Sequence, residues 1–382
     1  DIPQIIDLWK YCFNDSHDFI DFYFNTCFKT FNTVVAEDEG RIQSCLQLLP
    51  YRMFLREREI PVSYIVGVAT WPEYRGRGLI RHLLQFADNI LEERGIFQSI
   101  LLPFQYDFYR KYGWEICYEF LTYRTIDFSS LPKIDKTAGL KSDKKFIRIN
   151  KDTCCDKLSL CYNKFVRHFN GYILRGKKEW YKIIHDTVVD GGSCYIYEEN
   201  GDTKGYIIYS INKEELCINE LIYLSKDAKV ELMRLALSHL GQVNHVSRKA
   251  PPWDLDFLFM KDSRGKLEKE TFVMGRIHDI VKALSGIPFS GKDFVIRVND
   301  NFYEKNNGNF LIKQKSGYSY VASTNKEPDV ILDIRVLNQL LWGYVSPDIT
   351  YKEGLIFLKN DCHLENLGQL FPKKYNYLTE EY

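Results

Sequence analysis

The sequence contains no C-x-x-C pair, no surplus of either charge, and no apolar run near the ~20 residues a bilayer-spanning helix requires. Its 51 Lys and Arg balance 51 Asp and Glu, leaving a formal net charge of zero. That balance argues against a polycationic nucleic-acid binder and against an acidic tail. Of the ten cysteines, Cys154 and Cys155 are neighbours, a poor geometry for sharing a zinc ion, and Cys362-His363 is a doublet without a second half. The cysteines are therefore read as reduced, small hydrophobes of a cytoplasmic protein, and no metal is expected. The opening Asp1-Ile2-Pro3-Gln4 lacks an initiator Met and any charged segment leading into an apolar one. No signal peptide is expected, and a few native residues are taken to be missing. Aromatic residues are abundant, with 26 Tyr and 25 Phe. Aromatic-lined pockets or codon bias would each produce this, and composition does not separate them.

A chain of 382 residues predicts two or three domains. In the first third, apolar spacing predicts helices over Gln4 to Phe13 and Asp18 to Phe28, with Asp15 and Ser16 as cap candidates between them. A hairpin follows across the acidic turn Asp38-Glu39-Gly40, and Val62 to Thr70 reads as a strand covered on both faces. An amphipathic helix from Leu79 closes at Gly95. The middle third repeats strand, hairpin, strand and helix in the same order, which makes an internal duplication plausible. After Ile287 a third pattern begins, with four strands and a helix that Gly343 ends.

Between the long apolar strand and the amphipathic helix lies Arg75-Gly76-Arg77-Gly78. Glycines let the backbone curl so that successive N–H groups converge at a helix N-terminus, a geometry suited to a pyrophosphate. A basic surface turn that caps a helix is the plainer alternative. The corresponding place in the second copy, Ser225-Lys226-Asp227-Ala228-Lys229, has no glycine, so only the first copy is expected to keep a phosphate cradle. Gly286 to Asp293 imitates a nucleotide-binding P-loop but ends in Asp instead of Ser or Thr, with helix and strand in the wrong order, which excludes nucleotide hydrolysis there. His17, His82, His168, His185 and His278 are read as surface or core histidines without triad or metal partners.

Three segments together carry a resemblance: Val66-Gly67-Val68-Ala69-Thr70, Tyr74 to Arg81, and Phe108-Tyr109-Arg110-Lys111-Tyr112-Gly113. They resemble the acetyl-CoA core of GCN5-related N-acetyltransferases (GNAT), and are most similar to the Eis-type (enhanced intracellular survival) branch. Ile80 stands where the superfamily has Gly or Ala, a departure shared with that branch. The resemblance implies an α+β (α/β) chain of two tandem GNAT-like mixed-sheet domains, 1–128 and 129–284, then a sterol-carrier-protein-like α+β domain over 285–382. It implies that Val68, Ala69 and Thr70 pair with the pantetheine arm of acetyl-CoA. Arg75, Gly76, Arg77, Gly78, Leu79, Ile80 and Arg81 would hold its pyrophosphate, with Phe104 and Gln105 as a further contact. It makes Tyr109 the general acid, the terminal carboxylate of Tyr382 the base, and Asp15 a wall of the amine pocket. It further implies amine acceptors of aminoglycoside-like or lysine type, and a homo-oligomer, a hexamer in that branch. No nucleic-acid or membrane partner is expected.

The chemistry is consistent with those roles. An amine of pKa ~10.4 is protonated about a thousand to one at pH 7, so the site must remove a proton before or during attack on the thioester. A carboxylate of pKa ~3.5 helps only if it is desolvated or if it relays the proton through water. A tyrosine of pKa ~10 donates to a thiolate of pKa ~8.5 slightly uphill. Two rival readings are a lipid-binding protein with a vestigial acetyltransferase half and an aminoacyl transferase. Neutral charge and the different last third speak against the second.

Overall fold

The computed structural model describes residues 1–127, 131, 143–150, 155–189, 191–262 and 264–381. The expected linker at Ser129–Pro132 falls outside them apart from Leu131. The first part runs α1 (Ile2–Cys12), α2 (His17–Thr26), β1 (Thr33–Asp38), β2 (Arg41–Leu55), β3 (Arg58–Thr70), α3 (Leu79–Glu93), β4 (Gln98–Leu101), α4 (Tyr106–Arg110), β5 (Glu115–Ile116) and β6 (Glu119–Tyr123). The second comprises β7 (Lys144–Ile149), α5 (Asp156–Val166), β8 (Tyr172–Ile173), α6 (Lys177–Val189), β9 (Ser193–Glu199), β10 (Asp202–Asn212), β11 (Glu215–Tyr223), α7 (Lys226–Leu237), β12 (His245–Ala250), β13 (Leu267–Thr271) and β14 (Met274–Ile277). The last holds α8 (Ile280–Leu284), β15 (Phe294–Asn299), β16 (Gly308–Lys315), β17 (Tyr318–Ser323), β18 (Val330–Asp333), α9 (Ile334–Trp342), α10 (Pro347–Lys352), β19 (Ile356–Leu358) and α11 (Cys362–Leu370).

Three mixed sheets result. The first is ordered β1-β2-β3-β4-β14-β5 with β8 added beside β2, the second β13-β6-β12-β11-β10-β9-β7, and the third β17-β16-β15-β18-β19. The first two exchange strands. Trp114 to Ile126, read from sequence as one extended stretch, leaves the first sheet after β5 and enters the second as β6, while β13 and β14 run back beside it in the opposite direction. At the crossing, Cys117 N–H and Tyr118 N–H both donate to Val273 O, at 3.0 and 3.2 Å. A cut at 128 therefore divides the chain but not the first two sheets, whereas a cut at 284 leaves the third sheet whole.

Strands β2 and β3 form one hairpin whose two turn residues, Arg56 and Glu57, have φ of 51° and 62°. Such turns normally use Asn or Gly. Here tertiary bonds hold the strain: the Arg56 guanidinium donates to Leu341 O (2.7 Å), Leu340 O (2.5 Å) and Pro372 O (2.8 Å), at the end of α9 and beyond. Helix α3 buries Leu83, Leu84, Ala87 and Leu91, whose i, i+1, i+4, i+8 spacing puts them on one face, each large apolar side chain contributing roughly 1.5–3 kcal/mol. One core runs from α1, α2 and the first sheet into the third sheet and α9, so the C-terminal part packs directly on the N-terminal one.

Candidate active site

Strands β3 and β4 pair in parallel only at Ser63–Ser99 and Tyr64–Ile100. Strand β4 stops at Leu101, just before Pro103, whereas β3 continues to Thr70. The two strands therefore part into a V. On its other edge β3 bulges against β2, whose register shifts between Cys45 and Gln47. Gly67 makes the bulge possible, because its φ is +59° and a Cβ would lie 2.5 Å from the Trp9 ring. Val68 and Thr70 are half-buried at the rim and Ala69 is buried. The Ser44 hydroxyl bonds Ala69 O and Thr70 Oγ1, each at 2.8 Å, and so pins this end of the strand.

Beyond the V the chain turns through Pro72–Tyr74 into the Arg-Gly turn. Gly76 and Gly78 have φ of +77° and +79°, and no atom lies within 4 Å of a Cβ built at either, so the turn faces open space. Gly78 is the N-cap of α3 and has no side chain to offer, and no acidic residue stands in the first turn. The first amides of α3 are thus available to an external anion, with the helix dipole behind them. Arg75 is anchored by a bond from Nε to Thr70 O at 3.1 Å. Arg77 stacks on Tyr74 at 5.1 Å, and Arg81 lies over Phe302 of the third part at 5.6 Å. Leu79 and Ile80 are half-buried, and Ile80 packs on the core beneath α3.

Tyr109 sits on α4, 3% exposed, with its ring edge-on to Phe104 (5.7 Å), Phe108 (5.1 Å) and Trp114 (6.4 Å). Burial, and next the neighbouring Tyr112, push its pKa upward. Phe104 is 70% exposed, and Gln105 is the N-cap of α4. Asp15 accepts a bond from Trp9 Nε1 at 2.8 Å, so its observed partner is the indole that presses on Gly67. Tyr382 lies outside the described residues. The tail can be followed to Glu381, and Glu380 O accepts a bond from the Tyr64 hydroxyl at 3.1 Å, at the apex of the V. Sequence reasoning missed Tyr64 and the tail's anchors: Arg175 donates to Glu380 (2.7 Å), Glu220 (2.9 Å) and Thr379 (2.7 Å). No local pattern marks residues so far apart in the chain.

Residues 1–117 match an acetyltransferase (GNAT) domain, residues 171–277 a second acetyltransferase (GNAT) domain, and residues 280–379 a sterol carrier protein domain. The chain is two tandem GNAT domains followed by a sterol-carrier-like domain. Among solved structures, a protein of Enterococcus faecalis V583 described as a probable N-acyltransferase is 22% identical at a TM-score of 0.86, over 100% of this chain and 97% of its own. A GCN5-related N-acetyltransferase from Anabaena variabilis is 21% identical at 0.81, over 100% and 97%. Eis1 from Mycobacterium abscessus is 16% identical at 0.73, over 99% and 96%. At these identities the likeness concerns the fold. No curated protein matches the chain.

The second GNAT domain differs where the first is open. Ser225 caps α7, its hydroxyl accepting from Ala228 N at 3.2 Å, and Asp227 occupies the first turn. The anion position is thus filled by the protein's own oxygen atoms. A further correction concerns His278, which does have triad-like partners: Nε2 meets Ser99 Oγ at 2.5 Å and Nδ1 meets Asp88 at 2.8 Å. Burial lowers the His278 pKa against the pull of Asp88. Ser99 is fully buried, so the arrangement is a packed polar network that ties β4 and β14 to α3, out of reach of a substrate.

Proposed function

We propose that the first GNAT domain transfers an acetyl group from acetyl-CoA to a primary amine by direct attack in a ternary complex. The observation that carries this reading is the uncapped head of α3 beside the parted strands β3 and β4, present in the first domain and closed by Ser225 in the second. Amides of the Arg75–Arg81 turn would hold the pyrophosphate, and the free rim at Val68–Thr70 would pair with the pantetheine arm. Phe104 and Gln105 would add a further contact to the cofactor. The amine attacks the thioester carbon as its proton leaves, and Tyr109 supplies a proton to the departing sulfur. The base is assigned to the tail that meets Tyr64 through Glu380 O, with the carboxylate of Tyr382 as the proposed group. The Eis-type assignment, the hexamer and an aminoglycoside-like or lysine acceptor belong to this proposal on resemblance.

The lipid-carrier alternative gains nothing from the packing. Leu337, Leu340, Leu341 and Trp342 of α9 are fully buried in the core shared with the first sheet. Among the described residues no helix is long and apolar enough to cross a membrane.

The decisive experiment incubates the full chain with acetyl-CoA and a panel of primary amines and reads free thiol. Thiol release that depends on both substrates is the expected result. Absence of release with every amine, together with no calorimetric CoA binding, would overturn the proposal.

A further inference from the structure

The second GNAT domain keeps an opening of its own. Strands β11 and β12 pair in parallel from Glu215–His245 to Ile218–Arg248 and then part. Residues just past that point, Asn219 to Leu221 and Lys249 to Pro252, wall a cavity of about 210 Å³ that the tail Asn376–Glu381 and helix α6 complete. The position corresponds to the cofactor cleft of the first domain, here closed by the chain's own tail. The same tail reaches the first domain's V, where Glu380 O meets the Tyr64 hydroxyl.

The carboxylates of this cavity are matched. Glu220 and Glu380 share Arg175, Glu381 is paired with Lys249, and Glu119 takes Lys269 (2.8 Å) and the Tyr344 hydroxyl (2.7 Å). Asp186 also has a partner. Lys182 is the exception. It is 6% exposed and lines the cavity, and among the described residues no carboxylate lies within ion-pair distance of its ammonium. Its one contact of note is the Tyr51 ring, 5.3 Å from Nζ. Burial draws its pKa down against the smaller upward pull of Cys27 and Glu179.

An ammonium held on the wall of a cavity without a carboxylate partner gains a charge-assisted hydrogen bond from an anion that enters. One positive charge fits one negative charge. The Tyr51 ring beside Lys182 lies 6.3 Å, centroid to centroid, from the buried Tyr64 ring, whose hydroxyl meets the tail at the V.

We infer that this cavity recognises the carboxylate of the acceptor through Lys182, so that the acceptor is an amino acid or similar molecule whose reacting amine lies several bonds from its carboxylate. This deepens the acetyltransferase reading and rests on it. It shifts the expected acceptor from polycations to zwitterions.

The test uses L-lysine and cadaverine, which differ only in the carboxylate, with the full chain, acetyl-CoA and free-thiol detection. Lysine should exceed cadaverine in kcat/KM by about tenfold or more. Lys182→Met should erase most of that ratio through KM, and Lys182→Arg should restore part of it. Removing an unpaired buried charge leaves packing intact, so the Tm of Lys182→Met should not fall. Equal or better use of cadaverine, or a ratio unchanged in Lys182→Met, would overturn the inference while leaving the acetyltransferase standing. If no amine releases thiol, calorimetry with lysine alone still decides the carboxylate site, and CoA calorimetry decides the transferase reading. Lysine binding lost in Lys182→Met retains the site, and no lysine binding, or binding unchanged in Lys182→Met, removes it.

Discussion

Tyr109 is a weaker acid in place than a tyrosine in water, because burial raises its pKa and makes proton release to a thiolate more uphill. Donation must therefore accompany C–S cleavage rather than follow it. Tyr109→Phe should lower kcat by about 10²-fold or more with little change in KM for acetyl-CoA, measured by thiol release. The sign of the shift adds a second test. An upward shift from ~10 keeps the hydroxyl protonated through the alkaline range, so kcat should show no falling limb near pH ~10. Such a limb in the wild type, absent in Tyr109→Phe, would contradict the burial. Tyr109 was visible in sequence only because its neighbours resemble a known segment. Lys182 and Arg175 were invisible, since their roles depend on what they face across the fold, and an isolated Lys or Arg between helical residues has no local signature.

Elements with the same place in the duplicated order take opposite parts through a single residue type. Helix α3 starts at Gly78 without a cap, and α7 starts at Ser225 with one. Gly78→Ala meets no atom but must hold a φ of +79°, at a cost of about 1–2 kcal/mol. The turn should relax away from that geometry, and CoA affinity by calorimetry should fall about tenfold or more while the fold persists. Ser225→Ala should do the reverse, lowering stability by about 1 kcal/mol without altering CoA affinity. Equal effects of both on CoA would refute the division of labour between the two helix heads. At this scale most of the fold was legible. Apolar spacing gave α1, α2, α3 and the acidic hairpin turns, and the glycine turn was read where it stands. The β2–β3 turn was not, because Arg56-Glu57 contains no turn-forming residue. Three carbonyls from α9 and the tail hold that turn, which no neighbour in sequence reveals.

Strand exchange makes the two GNAT domains interdependent, and the sterol-carrier-like domain locks the exchange. Arg276, on β14 inside the first sheet, is fully buried against Asp300 of the last domain at 2.6 Å. Its guanidinium also fills the space where a Cβ at Gly113 would be, 2.3 Å from Nη1. Removing one partner leaves an uncompensated buried charge, so Arg276→Met should destabilise the whole chain by about 3–5 kcal/mol, seen as one lowered transition in denaturant. The boundary at residue 128 leads to a sharper expectation. A fragment 1–128 contains the glycine turn, Tyr109 and most of the first sheet, but lacks β14, the strand that joins β4 to β5. Its β4 edge would be left unpaired and the apolar face that receives α9 exposed. The fragment should therefore show no cooperative unfolding and no calorimetric CoA binding, whereas the full chain shows both. Adding residues 267–280 back in trans should not rescue it, because β6, which pairs with β13 on one side, still lacks β12 on the other and with it the rest of the second sheet. A soluble, CoA-binding 1–128 would mean that the strands part more easily than their shared hydrogen bonds imply, and that the duplicated domains fold as separate units.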